Sequence, residues 1–263
     1  GLACDIVNRA ADGGVLWVNA AGNLAQRQYT GASADVDGDG WHEFAPGVEK
    51  LYLQDTQVVG SLIRLCLTWD EWPTTSEDWD LYLGREAPDG SVVMDLATSR
   101  TAQTGTAPVE YITHQIAGSG RYFAAVRRSR TTQVTTLKLA SYYHSFANNA
   151  DVFGTLGEPA DARGAFAVGA VAQYVWPQAQ IESYSSRGPT TDGRIKPEIV
   201  APTWVSTATY GAGAFAGTSA ATPHVAGVAA LIKSAHPAYT GAQLADALAA
   251  AAVDVGTAGK DNT

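Results

Sequence analysis

The run Gly217-Thr218-Ser219-Ala220-Ala221-Thr222-Pro223-His224-Val225-Ala226-Gly227 sets a serine among small residues at the head of an apolar stretch. Small neighbours let a helix begin at the serine and leave its hydroxyl at the N-terminus. Free backbone N–H groups and the helix dipole favour a developing anion there. A nucleophile attacking a carbonyl needs this setting, because the oxyanion forms beside the same N–H groups. A serine that only caps a buried helix gives the same pattern over Gly-Thr-Ser, since serine is a favoured N-cap. The full eleven-residue string goes beyond what a cap requires.

The elements that must position this serine fall into three zones. In the first, Cys4 to Asn23, Asp5-Ile6-Val7 and Ala10-Ala11 have helical spacing and Gly13-Gly14 stops the helix. Val15-Leu16-Trp17-Val18 follows as a buried strand ending in the turn-forming Ala20-Ala21-Gly22-Asn23, and a helix leading into an apolar strand is a parallel-sheet signature. The middle zone, 24–150, carries short β-rich runs at 50–53, 61–69, 80–83, 91–96, 122–126 and 135–140. Turn signals such as Pro88-Asp89-Gly90 and Gly118-Ser119-Gly120 separate them. This predicts an antiparallel β-sandwich. The third zone, 151–263, returns to α/β character, with strands at 165–171 and 199–201 and helices at 219–236 and 243–253. The expected fold is therefore α/β: one domain formed by 1–23 and 151–263, interrupted by a β-sandwich insertion at 24–150.

The 263 residues suffice for two such cores. With 17 basic and 26 acidic residues the net charge is −9 and no Lys/Arg cluster stands out, which argues against nucleic acid or anionic membrane as a partner. No apolar run reaches the roughly 20 residues a membrane span needs. Cys4 and Cys66 match no metal or redox spacing and read as two free thiols.

The eleven-residue string resembles the nucleophile motif of subtilisin-like serine proteases, the subtilases. Asn19-Ala20-Ala21-Gly22-Asn23 resembles that family's oxyanion-hole segment. Ser183-Tyr184-Ser185-Ser186-Arg187-Gly188-Pro189, then Lys196-Pro197-Glu198-Ile199-Val200-Ala201-Pro202, resembles the run leading to the serine, and Ala165–Val171 the preceding sheet strand. The resemblance implies a subtilisin-like parallel sheet with flanking helices, present in part, and an endopeptidase acting through an acyl-enzyme. Ser219 would be the nucleophile, and Asn23 would donate its side-chain N–H to the oxyanion beside the Ser219 N–H. Protein or peptide substrates and an extracellular or cell-envelope location follow from the same resemblance, and the chemistry requires no cofactor.

The family orders its triad Asp, His, Ser along the chain. The Asp-Thr-Gly or Asp-Ser-Gly turn and the His-Gly-Thr helix start that carry the first two do not occur here. His224 lies five residues past Ser219, about 140° around a helix axis, and in the family motif this histidine is structural. Three arrangements stay open: the Asp and His lie in protease polypeptide N-terminal to Gly1, the fold has lost its chemistry, or a separate polypeptide supplies the missing half. The first is favoured, because the α/β part reads as cut at both ends while its serine and asparagine segments are intact. The competing function is a catalytically inactive binding or interaction module on a subtilase scaffold.

The middle zone opens with Asp35-Val36-Asp37-Gly38-Asp39-Gly40-Trp41-His42-Glu43. Carboxylates at positions one, three, five and nine with glycine at six resemble the start of a calcium loop, so Asp35, Asp37, Asp39 and Glu43 are candidate ligands for a structural calcium ion. Position twelve, the bidentate glutamate of an EF-hand, is Pro46, and a solvated Asp-Gly turn gives the same composition. Trp79-Asp80-Leu81-Tyr82-Leu83 resembles a strand of β-sandwich modules attached to secreted bacterial peptidases. The tryptophans around it are either sugar or peptide platforms or core packing.

Overall fold

The computed structural model describes residues 1–54, 56, 58–103, 105–175, 180–254 and 259. They fall into two compact units, one of 1–25 with 152–263 and one of 26–151.

In chain order the first unit begins with α1 (Leu2–Asp12) and β1 (Trp17–Ala20). The chain then passes through the second unit. There β2 (Gln28–Ala32), β9 (Thr136–Ser141), β4 (Leu62–Trp69) and β7 (Val109–Gln115) form one antiparallel sheet in that spatial order. The other antiparallel sheet has the order β3 (Leu51–Tyr52), β8 (Arg121–Arg130), β5 (Asp78–Glu86), β6 (Val92–Ser99). Strict alternation along β4 turns Ile63, Leu65, Leu67 and Trp69 inward, where they meet Leu81, Leu83, Tyr122, Ala124 and Val126 of the facing sheet in one core. Trp79 is 3% exposed and belongs to this core, while Trp72 stands in solvent. The middle zone's tryptophans thus divide between packing and surface.

His42 sits at the end of this core, fully buried, its Nε2 3.1 Å from the Tyr29 hydroxyl and its Nδ1 beside the backbone of Ala34. Burial pushes it from the ordinary 6.5 down to about 4. A folded value below the unfolded one means that the unfolded chain binds the extra proton between those limits. Stability from His42 is therefore complete above pH 6.5 and is lost as pH falls towards 4, by about 3 kcal/mol in all. Urea titrations of the β unit at stepped pH should show this slope, and His42→Gln should flatten it. An unchanged slope in the variant would refute the assignment.

Returning to the first unit, β10 (Ala165–Ala172) is buried at every residue and lies between β1 and β11 (Ile199–Thr203), all three parallel. A strand covered on both faces reads as a continuous apolar run, which is why β10 was legible in the sequence; β1 is half-buried throughout and begins two residues after the start of the apolar run expected at 15–18. A short hairpin, β12 (Val205–Thr207) with β13 (Gly211–Phe215), leads into α2 (Thr218–Ala235) and then α3 (Gly241–Ala251). Phe166, Val168 and Ala170 face Ala221, Val225, Ala229 and Leu248 of α2 and α3. Ala165 faces Val7 of α1 on the opposite side. Helices thus cover both faces of the sheet, as the α/β reading requires. Thr240 starts α3 with a capping box to Gln243, each satisfying the other's backbone N–H.

Both cysteines are free, and burial together with the Asp161 carboxylate pushes the Cys4 thiol up to about 12. A thiol held protonated in this way is no nucleophile. No described helix is long and apolar enough to cross a membrane.

Candidate active site

Ser219 is the second residue of α2 and is exposed. The turn before it is tied down by two hydroxyls. The Gly217 N–H is shared between Thr203 Oγ1 at 2.8 Å and the Tyr184 hydroxyl at 3.1 Å, and those oxygens stand 3.2 Å apart. Burial raises the Tyr184 phenol above its ordinary value, so it remains a neutral hydroxyl at neutral pH. Gly217 has φ 103° and ψ 167°, a region open to glycine alone, and a Cβ here would come within 3.0 Å of Asn23 Nδ2.

Asn23 follows β1 and reaches the same turn. Its Oδ1 accepts the Thr218 backbone N–H and the Thr218 hydroxyl, both at 3.0 Å. A backbone N–H only donates, so this pair fixes which end of the carboxamide is oxygen. The NH2 is left without an acceptor among the described residues, held one residue from Ser219. The Gly22 N–H in turn donates to Thr218 Oγ1 at 3.3 Å. Ser186 braces the other side: its N–H donates to the Gly22 carbonyl at 2.8 Å and its Oγ accepts the Leu24 N–H at 3.0 Å.

Two features explain the residues after the serine. Pro223 lacks the N–H that would bond the Ser219 carbonyl four residues back, which opens the first turn of α2. His224 turns its Nδ1 to the Ala220 carbonyl at 2.8 Å, so that nitrogen carries the proton and the ring braces the helix. The other histidine of this unit, His236, stacks on Tyr239 at the end of α2. Among the described residues Ser219 Oγ has no hydrogen-bond partner, and neither histidine of this unit is bonded to it.

Residues 102–263, more than half of the chain, match the Subtilase family, Peptidase S8. The chain belongs to the subtilase family. This subtilase is 43% identical over 103 residues to Subtilisin of Bacillus pumilus, covering 39% of this chain and 35% of that protein. It is 43% identical over 84 residues to the Minor extracellular protease Vpr of Bacillus subtilis (strain 168), covering 28% of this chain and 10% of that one. It thus spans about a third or less of these curated relatives. The solved structure of the Clostridium perfringens CspB protease aligns with a TM-score of 0.51 at 21% identity, over 82% of this chain and 48% of that one, a likeness of fold. The family match begins inside the β unit and leaves out 1–101. The placement of Asn23 against Thr218 is therefore a finding of the structure.

Sequence reasoning missed Tyr184, Ser186, Thr203 and Thr218 as positioning residues. All four lie in or beside the quoted motifs, but a hydroxyl's partner 14 to 196 residues away leaves no local signal.

In the β unit, Asp35, Asp37 and Asp39 converge, with one oxygen of each lying within 4.8 Å of the others. Glu43 does not join them. Its Oε1 accepts the Val36 N–H at 3.0 Å and its Oε2 the Gly47 N–H at 2.9 Å, so this buried carboxylate staples the loop.

Proposed function

We propose that this chain carries the nucleophile and oxyanion hole of an exported serine endopeptidase. Ser219 attacks the scissile carbonyl of a protein or peptide substrate, and its backbone N–H and the Asn23 NH2 hold the oxyanion. An acyl-enzyme forms on Ser219 Oγ and water then releases the acyl group. The observation that carries this reading is the Asn23 carboxamide, locked by Thr218 with its NH2 free one residue from an exposed serine at a helix N-terminus.

The base histidine and its orienting aspartate are assigned to protease polypeptide N-terminal to Gly1. Two observations support further chain packed on this unit. Among the described residues β1 pairs on one side only, and a parallel sheet ordinarily buries such an apolar strand. Leu231 on α2 is 71% exposed although that helix is apolar nearly all round. The lack of a base near Ser219 favours a second reading, a binding module that keeps the scaffold without the chemistry. An extracellular or cell-envelope location is proposed on the subtilase resemblance.

Intact-mass measurement after exposure to a fluorophosphonate separates these readings. The chain alone should take no adduct. The same chain joined to its upstream polypeptide should take one, lost in Ser219→Ala. An adduct on the chain alone would place the base within it, and none in either form would establish the binding module.

A further inference from the structure

The loop 35–43 of the β unit has no part in the chemistry above, and its geometry asks for a cation. Two oxygens bound to one calcium ion at about 2.4 Å can stand no more than about 4.8 Å apart. One oxygen each of Asp35, Asp37 and Asp39 meets that limit mutually. A second, independent observation concerns Asp35, whose side chain is only 8% exposed. Both its oxygens are withdrawn from water and neither accepts a hydrogen bond among the described residues. Arg128 Nη2 stands 3.0 Å from Oδ2, an ion pair outside hydrogen-bond alignment from a half-exposed side chain, and Oδ1 has nothing. Arg128 offsets charge at Oδ2 only, and a buried carboxylate oxygen with no donor, such as Oδ1, costs free energy unless a cation reaches it.

The neighbouring carboxylates keep oxygens to spare. Asp37 Oδ1 accepts the Asp39 N–H at 3.4 Å and Asp39 Oδ1 the Trp41 N–H at 2.9 Å, and the second oxygen of each makes no hydrogen bond among the described residues. Glu43 ties the backbone of Val36 to that of Gly47, so the loop is braced before any ion arrives while the exposed Asp37 and Asp39 side chains keep their freedom.

We infer that Asp35, Asp37 and Asp39 bind one calcium ion in this loop, with water and backbone carbonyls completing its oxygen shell. The ligand set is thus three aspartates, with Glu43 as a positioning residue. Calcium suits such a flexible, partly solvated set better than magnesium, which demands near-ideal octahedral geometry and dehydrates reluctantly.

Trp41, inside the loop, makes the test direct. Terbium titrated into the whole chain and excited through tryptophan should luminesce, and calcium should displace it with half-saturation between about 10⁻⁵ and 10⁻³ M. Magnesium at equal concentration should displace it less. Asp37→Asn/Asp39→Asn, both exposed positions, should weaken terbium and calcium at least about tenfold, since affinity follows ligand charge. Its thermal midpoint without calcium should equal that of the wild type, while the calcium-dependent rise in midpoint seen in the wild type disappears. Equal terbium binding by the variant, an equal calcium shift, or no displacement at about 10 mM calcium would each overturn the inference. Stronger displacement by magnesium would overturn the choice of ion.

Discussion

Replacing Lys196 with alanine is expected to lower the stability of the α/β unit by about 3 kcal/mol, read as a lower urea midpoint for that transition. Lys196 is 2% exposed, one of the largest fully buried side chains, and its Nζ lies 2.7 Å from Glu198 Oε1 while also donating to the Ala165 carbonyl. The other Glu198 oxygen accepts the Ala167 N–H at 2.6 Å, and the Glu198 N–H returns a bond to the Ala167 carbonyl. One lysine and one glutamate therefore fasten the start of β10 to the segment entering β11. Removing the cation leaves a mostly buried carboxylate uncompensated and a cavity where the lysine stem lay, and both terms have the same sign. Lys196→Met/Glu198→Gln should recover much of the loss, because the orphaned charge is then gone. If Lys196→Ala unfolds at the wild-type midpoint, the pair is not what joins these strands.

The second large effect falls on catalysis. In the protease joined to its upstream polypeptide, Asn23→Ala should lower kcat by about 10²–10³ and leave KM nearly unchanged. That figure was measured for an oxyanion-hole asparagine of a subtilisin, and it carries over to the extent that Asn23 plays the same part. The split follows from geometry: the NH2 has no partner until charge develops on the substrate oxygen, so it contributes in the transition state and not on binding. Asn23→Asp sharpens the test. It keeps the oxygen that accepts both Thr218 bonds but replaces the donor with negative charge, so it should be at least as slow as Asn23→Ala while folding normally. A loss confined to KM in either variant would assign Asn23 to substrate binding.

The β unit shows where local pattern misleads. β7 was not predicted because its polarity is inverted: Glu110 is 2% exposed, while Tyr111 beside it is 47% exposed. Glu110 can be buried because Gln103, Thr101 and Ser99 all donate to it, partners that alternation of hydropathy does not reveal. β2 begins at a buried glutamine, and Gly31 within it leaves room for the Tyr29 hydroxyl, where a Cβ would collide. The hairpin β12–β13 is rich in Gly, Ala and Thr and resembles loop, yet it carries the chain to Gly217.

The sequence by itself determined the small-residue string that opens α2 at Ser219, the Asn23 turn, the strands β1 and β10 and the helices α2 and α3. Each rests on residue types within a dozen positions, where periodicity, backbone sterics and capping act directly. Only the tertiary structure decided which end of the Asn23 amide faces outward, that Tyr184 and Thr203 hold Gly217, and that Glu43 staples a loop whose three aspartates converge. Those outcomes depend on hydrogen bonds and charges whose partners are distant in sequence or compete for the same atoms. Folding alone brings such groups together and settles which of them is satisfied.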